Sequence, residues 1–454
     1  MFDESKETLI QYDKEHVWHP FTQMKDWVAG DPLVITHGQG NYIFDADGKK
    51  YLDGVSSLWC NIHGHRKREL DEAVKEQVEK IAHSTFLGLT HPPGAMLAKK
   101  LADITPQGLN KVFYSDSGSE AVEIALKMAF LYWQHLGQKK KTRFIAFQES
   151  YHGDTIGSVS VGGIETFHQA FRPLLFETYF APTPYCRPCQ FGNNKKECCH
   201  NRLEAVEKEL FQRGDEYAGV IIEPLVQGAA GMLVYPKGLL KHLRKITEKY
   251  NTLLIADEVA TGFGRTGTMF ACEQEGVVPD LLCLAKAITG GYLPLAATLA
   301  TDKIYEAHYD EFSTLKTFFH GHTYTANALA CAAAIANLEV FENERVLEKI
   351  QNKIVYLENR LNELTKLPHV GDVRLKGLMG GVELVKDKAT AEEYNFALKM
   401  GYKVCDGAIK RGVWLRPLGN VIVVMPPLSI KLEEIDLLVK VLKESIAENT
   451  GRYE

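Results

Sequence analysis

Lys286 stands in LLCLAKAITGGYLPLAATLA (281–300), among leucines, alanines and glycines, with no acidic residue in the stretch. A charged ammonium is costly in apolar surroundings. Either its stem snorkels to water, or its amine is desolvated and acts as a nucleophile. Asp257 ends another apolar run, LLIAD; a buried carboxylate there needs a cation or hydrogen-bond donors, while one at the surface would cap the next segment. Ser117-Gly118-Ser119 falls between strand-like KVFYSD and helix-like SEAVEIALKMAFLYWQHLG. Glycine lets backbone come close and a helix N-terminus favours phosphate, although either serine could simply be an N-cap. Tyr151 in SYHGD offers an aromatic face for stacking, or ordinary packing. A lysine, a carboxylate at another strand end and a phosphate-friendly helix start together suit pyridoxal 5'-phosphate. No G-x-G-x-x-G stands directly between a strand and the start of a helix, and no Walker A lysine is present, which argues against dinucleotides and nucleoside triphosphates.

These residues need a scaffold that delivers them to one place. KVFYSD, RFIAFQ, GVIIEP, TLLIAD, DLLCLA and LAATLA are short apolar β-rich runs separated by helical segments such as PKGLLKHLRKITEKY. That alternation predicts a mainly parallel sheet covered on both faces, with ligands outside the carboxyl ends of its strands. A chain of 454 residues exceeds the size at which single cores stop growing. The reading is an N-terminal segment 1–60 that joins a small domain, a large domain 61–335, and a C-terminal part of the small domain, 336–454. NYIFDADG and KKYLDG pair as extended stretches near the start, and KLEEIDLLVKVLKESIAE closes the chain as an amphipathic helix.

Composition excludes several classes. With 45% hydrophobic residues and a net charge of -6, the chain reads as an ordinary soluble globular protein with no basic face for nucleic acid. Lys139-Lys140-Lys141 reads as a solvated helix end. No apolar run is long enough to span a bilayer, and the polar, acidic start is no signal peptide. Cys60, Cys272, Cys283, Cys331 and Cys405 sit singly in apolar segments, as buried thiols in a reducing cytoplasm do. CRPCQFGNNKKECCH gathers Cys186, Cys189, Cys198, Cys199 and His200. A structural zinc or iron–sulfur site is compatible with it, but the spacing matches no standard zinc module. The expectation is a surface insertion with free thiols and no metal.

DSGSEAVEIALKMA, SYHGDTIGSVSV, VIIEPLVQGAAGM, LLIADEVATGFGRTG, CLAKAITGG and HGHTYTAN together resemble the class III, fold-type I pyridoxal-phosphate aminotransferases, over nearly the whole chain. WHPFTQM, DGVSSLWCNIHGH, FLGLTH and GVWLRPLGNVIVVMPP are similar to the subgroup that converts 8-amino-7-oxononanoate to 7,8-diaminononanoate in biotin biosynthesis. The resemblance implies an α/β fold: a large domain with a mainly parallel seven-stranded sheet and a smaller α+β domain. It implies that Lys286 holds the cofactor covalently and moves protons, that Asp257 pairs with the pyridinium, and that Tyr151 stacks on the ring near Asp154. Gly118 and Ser119 would bind the phosphate, helped by Thr323, beside His322, from the partner subunit of a homodimer. Arg416 would grip a substrate carboxylate through its planar fork. Gly321, Leu58, Trp59 and Phe21 would line the substrate site. Arg265 stands as a weaker site candidate, with a structural ion pair as the alternative. The reaction would be a ping-pong transamination of small molecules, with no nucleic acid or membrane partner.

Two positions bear on the amino donor. Subgroup members that use S-adenosylmethionine carry a tyrosine after WHP and a tryptophan pair after SS. Here those places hold Phe21 and Leu58-Trp59. The missing hydroxyl and aromatic face weaken recognition of a sulfonium-bearing donor. Some members use L-lysine, and the expectation leans to lysine with S-adenosylmethionine open. The alternative activity is a class III aminotransferase of 4-aminobutyrate or ornithine type, against which WHPF and VWLRP argue. A cofactor-binding scaffold without activity has no need of a desolvated lysine.

Overall fold

The apolar runs form strands whose residues are buried almost without interruption, because helices cover both faces of the sheet they build. The computed structural model describes residues 4–185 and 203–451; the Cys186–His200 cluster lies outside the described residues. Seven strands make the central sheet: β1 Lys111–Ser115, β2 Arg143–Phe147, β3 Thr178–Ala181, β4 Tyr217–Ile222, β5 Leu253–Asp257, β6 Leu281–Leu284 and β7 Ala296–Ala300. Their spatial order is β1-β7-β6-β5-β4-β2-β3. All run parallel except β7, which is antiparallel to both β6 and β1. The six parallel strands therefore end on one edge of the sheet.

Alternate residues of the strands enter two separate apolar clusters. Ile145, Val220, Ile222, Leu254, Ala256, Leu282 and Leu284 face one core. Phe144, Ala218, Ile221, Leu253, Ile255, Leu281 and Cys283 face the other, beneath the helix Gly118–His135. Trp133 of that helix fastens it to the sheet by donating from Nε1 to the carbonyl of Ala218 at 2.7 Å.

Beside this sheet lie strands from both chain ends. Ile35–Gln39, Tyr42–Asp45 and Lys50–Asp53 pair in sequence, and Val413–Trp414 adds to the last of them in parallel. Val370–Lys376, Met379–Asp387, Val421–Val424 and Arg416–Leu418 form an antiparallel sheet, and the chain's long helix Leu432–Thr450 follows. Among the described residues no helix is long and apolar enough to cross a membrane.

Two sequence readings change. Lys141 is not solvated: it is buried, and Nζ donates to the carbonyls of Gly214 (2.8 Å), Asn251 (2.9 Å) and Tyr217 (3.0 Å) while lying 4.4 Å from the Trp133 ring centroid. Cys272, Cys283, Cys331 and Cys405 are buried free thiols, whereas Cys60 is partly exposed and lines the cavity described next.

Candidate active site

A cavity of about 730 Å3 opens at the carboxyl ends of the parallel strands. Its floor is built by the residues that follow β4, β5 and β6. Lys286 starts a tight turn after β6 with φ of +46°. That turn is fixed from below: Asn337, on the helix Ala328–Asn343, donates from Nδ2 to the carbonyls of Ala287 and Ile288, each at 3.0 Å. Among the described residues Lys286 Nζ makes no hydrogen bond and no ion pair; it lies 5.4 Å from the Trp59 ring centroid. Burial pushes its amine below the ordinary lysine range, against the opposing pull of Asp257 and Glu223.

Asp257 is buried and its two oxygens are held apart by two donors. Oδ2 lies 2.7 Å from His152 Nδ1, and Oδ1 accepts the Val259 N–H at 3.0 Å. Among the described residues His152 Nε2 is buried without a partner. Glu223, after β4, is a second buried acid on this floor. Its oxygens accept the N–H groups of Tyr151 (3.1 Å) and Gly228 (2.9 Å). Burial, reinforced by Asp257, pushes its carboxyl up to about 7. Tyr151 donates from its hydroxyl to Asp154 at 2.7 Å, and burial together with that bond raises its phenol.

The opposite end of the cavity is the start of the helix Gly118–His135. Ser117 is its N-cap and Glu120 completes a capping box. Gly118 and Ser119 fall in the first turn, where N–H groups have no intrahelical acceptor. A Cβ on Gly118 would stand 2.6 Å from Val259 Cγ1, so only glycine fits. The Ser119 hydroxyl accepts the N–H groups of Asp154 and Thr155, each at 2.9 Å, tying the Tyr151 loop to the helix start. Free amides, a helix dipole and a snug glycine make a seat for phosphate.

Leu58, Trp59 and Cys60 form a side wall. Ser56, Ser57 and Trp59 all take positive φ values, a backbone state costing roughly 1–3 kcal/mol per residue. Arg265 does not line the cavity, and among the described residues no carboxylate lies within ion-pairing distance of it, which corrects the reading of a structural ion pair. It is fully buried, donates to the carbonyls of Pro426, Asn61 and Trp59, and is pushed down by burial to about 10.

The structure thus gathers Lys286, Asp257, Tyr151, Gly118, Ser119, Leu58 and Trp59 around one cavity. Arg416 sits close enough to Tyr151 to act on it electrostatically, and no carboxylate lies within ion-pairing distance of it among the described residues. Phe21 is half-exposed and reaches Tyr151 only through Phe167: ring centroids are 5.3 Å apart for Phe21–Phe167 and 6.3 Å for Phe167–Tyr151. Gly321 and Thr323 are exposed and do not line this chain's cavity. His322 lies outside it too, with Nδ1 3.4 Å from Glu120 and Nε2 3.1 Å from His320 Nε2. Sequence reasoning assigned no role to His152 or Glu223, although both stand at strand ends, in SYHGD and VIIEP. A polar residue directly after an apolar strand was the available signal.

Residues 24–446 match the family model described as Aminotransferase class-III. The chain is a class III aminotransferase. Enzymes of this class work with pyridoxal phosphate, and the cavity of this aminotransferase suits that group: a free amine facing the cavity, a buried carboxylate with a histidine behind it, and a helix start suited to phosphate. A Geobacter sulfurreducens protein named adenosylmethionine-8-amino-7-oxononanoate aminotransferase is 53% identical, the alignment covering 99% of this chain and 100% of that one. An Aquifex aeolicus protein of the same name is also 53% identical, over 99% of each chain. The crystal structure of the Methanocaldococcus jannaschii protein so named has a TM-score of 0.93 at 49% identity, covering 98% of this chain and 100% of that one. An omega-transaminase from Thermomicrobium roseum has a TM-score of 0.95 at 36% identity, covering 98% of this chain and 99% of that one.

Proposed function

We propose that this aminotransferase transfers an amino group to the ketone of 8-amino-7-oxononanoate, giving 7,8-diaminononanoate for biotin synthesis. The observation that carries the reading is Lys286 Nζ, desolvated and without a hydrogen-bond partner at the base of a cavity whose relatives over the full chain length bear that substrate in their names. Bound in this cavity, pyridoxal phosphate supplies an electron sink for the carbanion left when a proton leaves the donor carbon. Lys286 would hold the cofactor covalently, and its Nζ, when free, would carry the proton at the donor carbon. Asp257, in contact with His152 Nδ1 and the Val259 N–H, would hold the proton on the ring nitrogen. The amides of Gly118 and Ser119 hold the phosphate, and Tyr151 covers the ring. Arg416, with no carboxylate of its own, grips the carboxylate of the keto acid at the cavity mouth. Leu58 and Trp59 shape the space between, with Phe21 behind them through Phe167.

L-Lysine is the favoured donor. Phe21 offers no hydroxyl and Leu58 no ring for a sulfonium, and Leu58 lies in the cavity wall where a donor passes. The second reading, S-adenosylmethionine, has in its favour the names of the relatives. Formation of 7,8-diaminononanoate with each donor separately decides: product with lysine alone supports the first, product with S-adenosylmethionine alone replaces it, and product with neither rejects the substrate. Discharge of the cofactor by 4-aminobutyrate or ornithine would then install the alternative activity.

The enzyme is further read as a cytoplasmic homodimer with shared active sites. Phe312, Leu315, Phe319 and Tyr324 are exposed on the segment that carries Gly321, His322 and Thr323, and burial against a second copy would bring that segment to the neighbour's phosphate seat. The small domain is read as residues 1–60 with 336–454, and the pairing of Lys50–Asp53 with Val413–Trp414 supports joining the two ends.

A further inference from the structure

Four residues on four strands of the antiparallel sheet stand in one row. Arg374 lies opposite Gly381, Gly381 opposite Val423, and Val423 opposite Arg416. Directly opposed residues of antiparallel strands share a face, so Arg374 and Arg416 project from the same side of the sheet. That side rests on the turn 228–232, which joins the short paired strands Val226–Gln227 and Leu233–Val234. Arg374 is buried, and its Nε (3.1 Å) and Nη2 (2.8 Å) both donate to the Gly231 carbonyl. Its Nη1 donates to Asp372 (2.9 Å) and to Glu383, and Asp372 also accepts the Tyr185 hydroxyl at 2.9 Å. Gly381 lets the sheet settle on the turn: a Cβ there would stand 3.0 Å from the Gly231 carbonyl oxygen. The other end of the turn touches the cavity. The Gly228 N–H donates to Glu223 at 2.9 Å, and a Cβ on Gly228 would stand 3.3 Å from the Trp59 ring.

We propose that Arg374 is a positioning residue for substrate binding: by clasping the Gly231 carbonyl it fixes the antiparallel sheet on the turn beside the cavity, and so sets where Arg416 stands to receive the substrate carboxylate. Only Gly381 and Val423 separate the two arginines along the row, and ladder hydrogen bonds tie each step. A shift of the Arg374 strand on the turn is therefore passed to Arg416. A carbonyl that takes two donors from one planar guanidinium is held in direction as well as in distance. A lysine ammonium cannot do this while also serving Asp372 and Glu383. The two carboxylates keep the guanidinium in place, and the Gly231 carbonyl is what it holds.

The inference rests on the keto-acid reading above, and the test separates the two. Wild type, Arg374→Gln and Arg374→Lys are compared as holoenzymes on 8-amino-7-oxononanoate and on its methyl ester, which offers Arg416 no carboxylate. In Arg374→Gln the KM for the acid is expected to rise about ten-fold while kcat stays within about three-fold, because ground-state positioning is lost without loss of the chemistry. The KM for the ester is expected to stay at the wild-type value. Arg374→Lys keeps a cation for Asp372 and Glu383 but not the paired donors on Gly231, so its acid KM is expected to fall between the other two. A KM that rises equally for acid and ester, as a general loss of structure would give, overturns the proposal, and so does an acid KM unmoved in both variants. If Arg374→Gln fails to fold, Arg374→Lys decides by the same criterion. Amide hydrogen exchange without substrate reads the clasp directly: residues 226–234 and 413–424 are expected to exchange faster together in the Arg374 variants, and unchanged exchange overturns it. A wild type that is inactive on the acid, or that binds acid and ester alike, counts against the keto-acid reading, and the exchange result then decides the role of Arg374 by itself.

Discussion

The surroundings of two lysines, Lys141 and Lys286, start alike and end differently. Both ammonium groups sit in the protein interior beside a tryptophan, Trp133 or Trp59, and burial lowers the pKa of both. Around Lys141 three backbone carbonyls take all three donors of the ammonium. It is a structural cation that ties the loop before β2 to the ends of the two segments beside it. Around Lys286 the donors are left free, the backbone is forced to positive φ, and a cavity opens in front of the amine. Desolvation alone therefore does not mark a catalytic lysine; an amine with no acceptor, facing empty space, does.

Exchanging each amine breaks the comparison in opposite ways. Lys286→Ala is expected to fold, to bind pyridoxal phosphate without a covalent link, and to lose at least about 10³-fold in turnover, since the proton carrier is gone. Steady-state rates and the visible spectrum of the bound cofactor check this, and sustained turnover would falsify the assignment. Lys141→Met keeps the packing on Trp133 but strands three carbonyls, at a cost of about 2–4 kcal/mol in denaturant unfolding. Its turnover per folded molecule should match wild type; a selective loss of activity would show that Lys141 does more than hold the fold.

The same contrast explains what the sequence made legible. Lys286, Asp257 and Glu223 each follow an unbroken apolar run, and strand-end position carries that information locally. Lys141 could not be told from Lys139 and Lys140, because its carbonyl acceptors come from Gly214, Tyr217 and Asn251, far along the chain. Arg265 failed for the same reason: its partners on Trp59, Asn61 and Pro426 are defined only once the chain is folded. β3 escaped notice as a half-buried edge strand, and the reversed direction of β7 leaves no trace in the composition of AATLA. Gly321, His322 and Thr323 bear on the site only through a second copy, so one chain's geometry leaves them outside the cavity.

The smallest expected effect is a pH dependence, and it sharpens the contrast by isolating the structural lysine. Burial pushes Lys141 down to about 8 in the folded chain, from 10.5 for a free side chain. Between those two values the unfolded chain binds more protons than the folded one, so unfolding free energy gains a positive slope with pH. Below pH 8 both states are protonated and the slope vanishes. The stability of wild type minus that of Lys141→Met should thus be flat up to about pH 8 and then rise towards pH 10.5, by at most about 1.4 kcal/mol per unit. Urea unfolding of both proteins across this range measures it at every pH with the rest of the titrating groups in common. A difference that stays flat up to pH 10.5 and falls above it would mean that the three carbonyls hold the proton on Lys141 more tightly than burial drives it off, and the structural lysine would then be the more basic of the two.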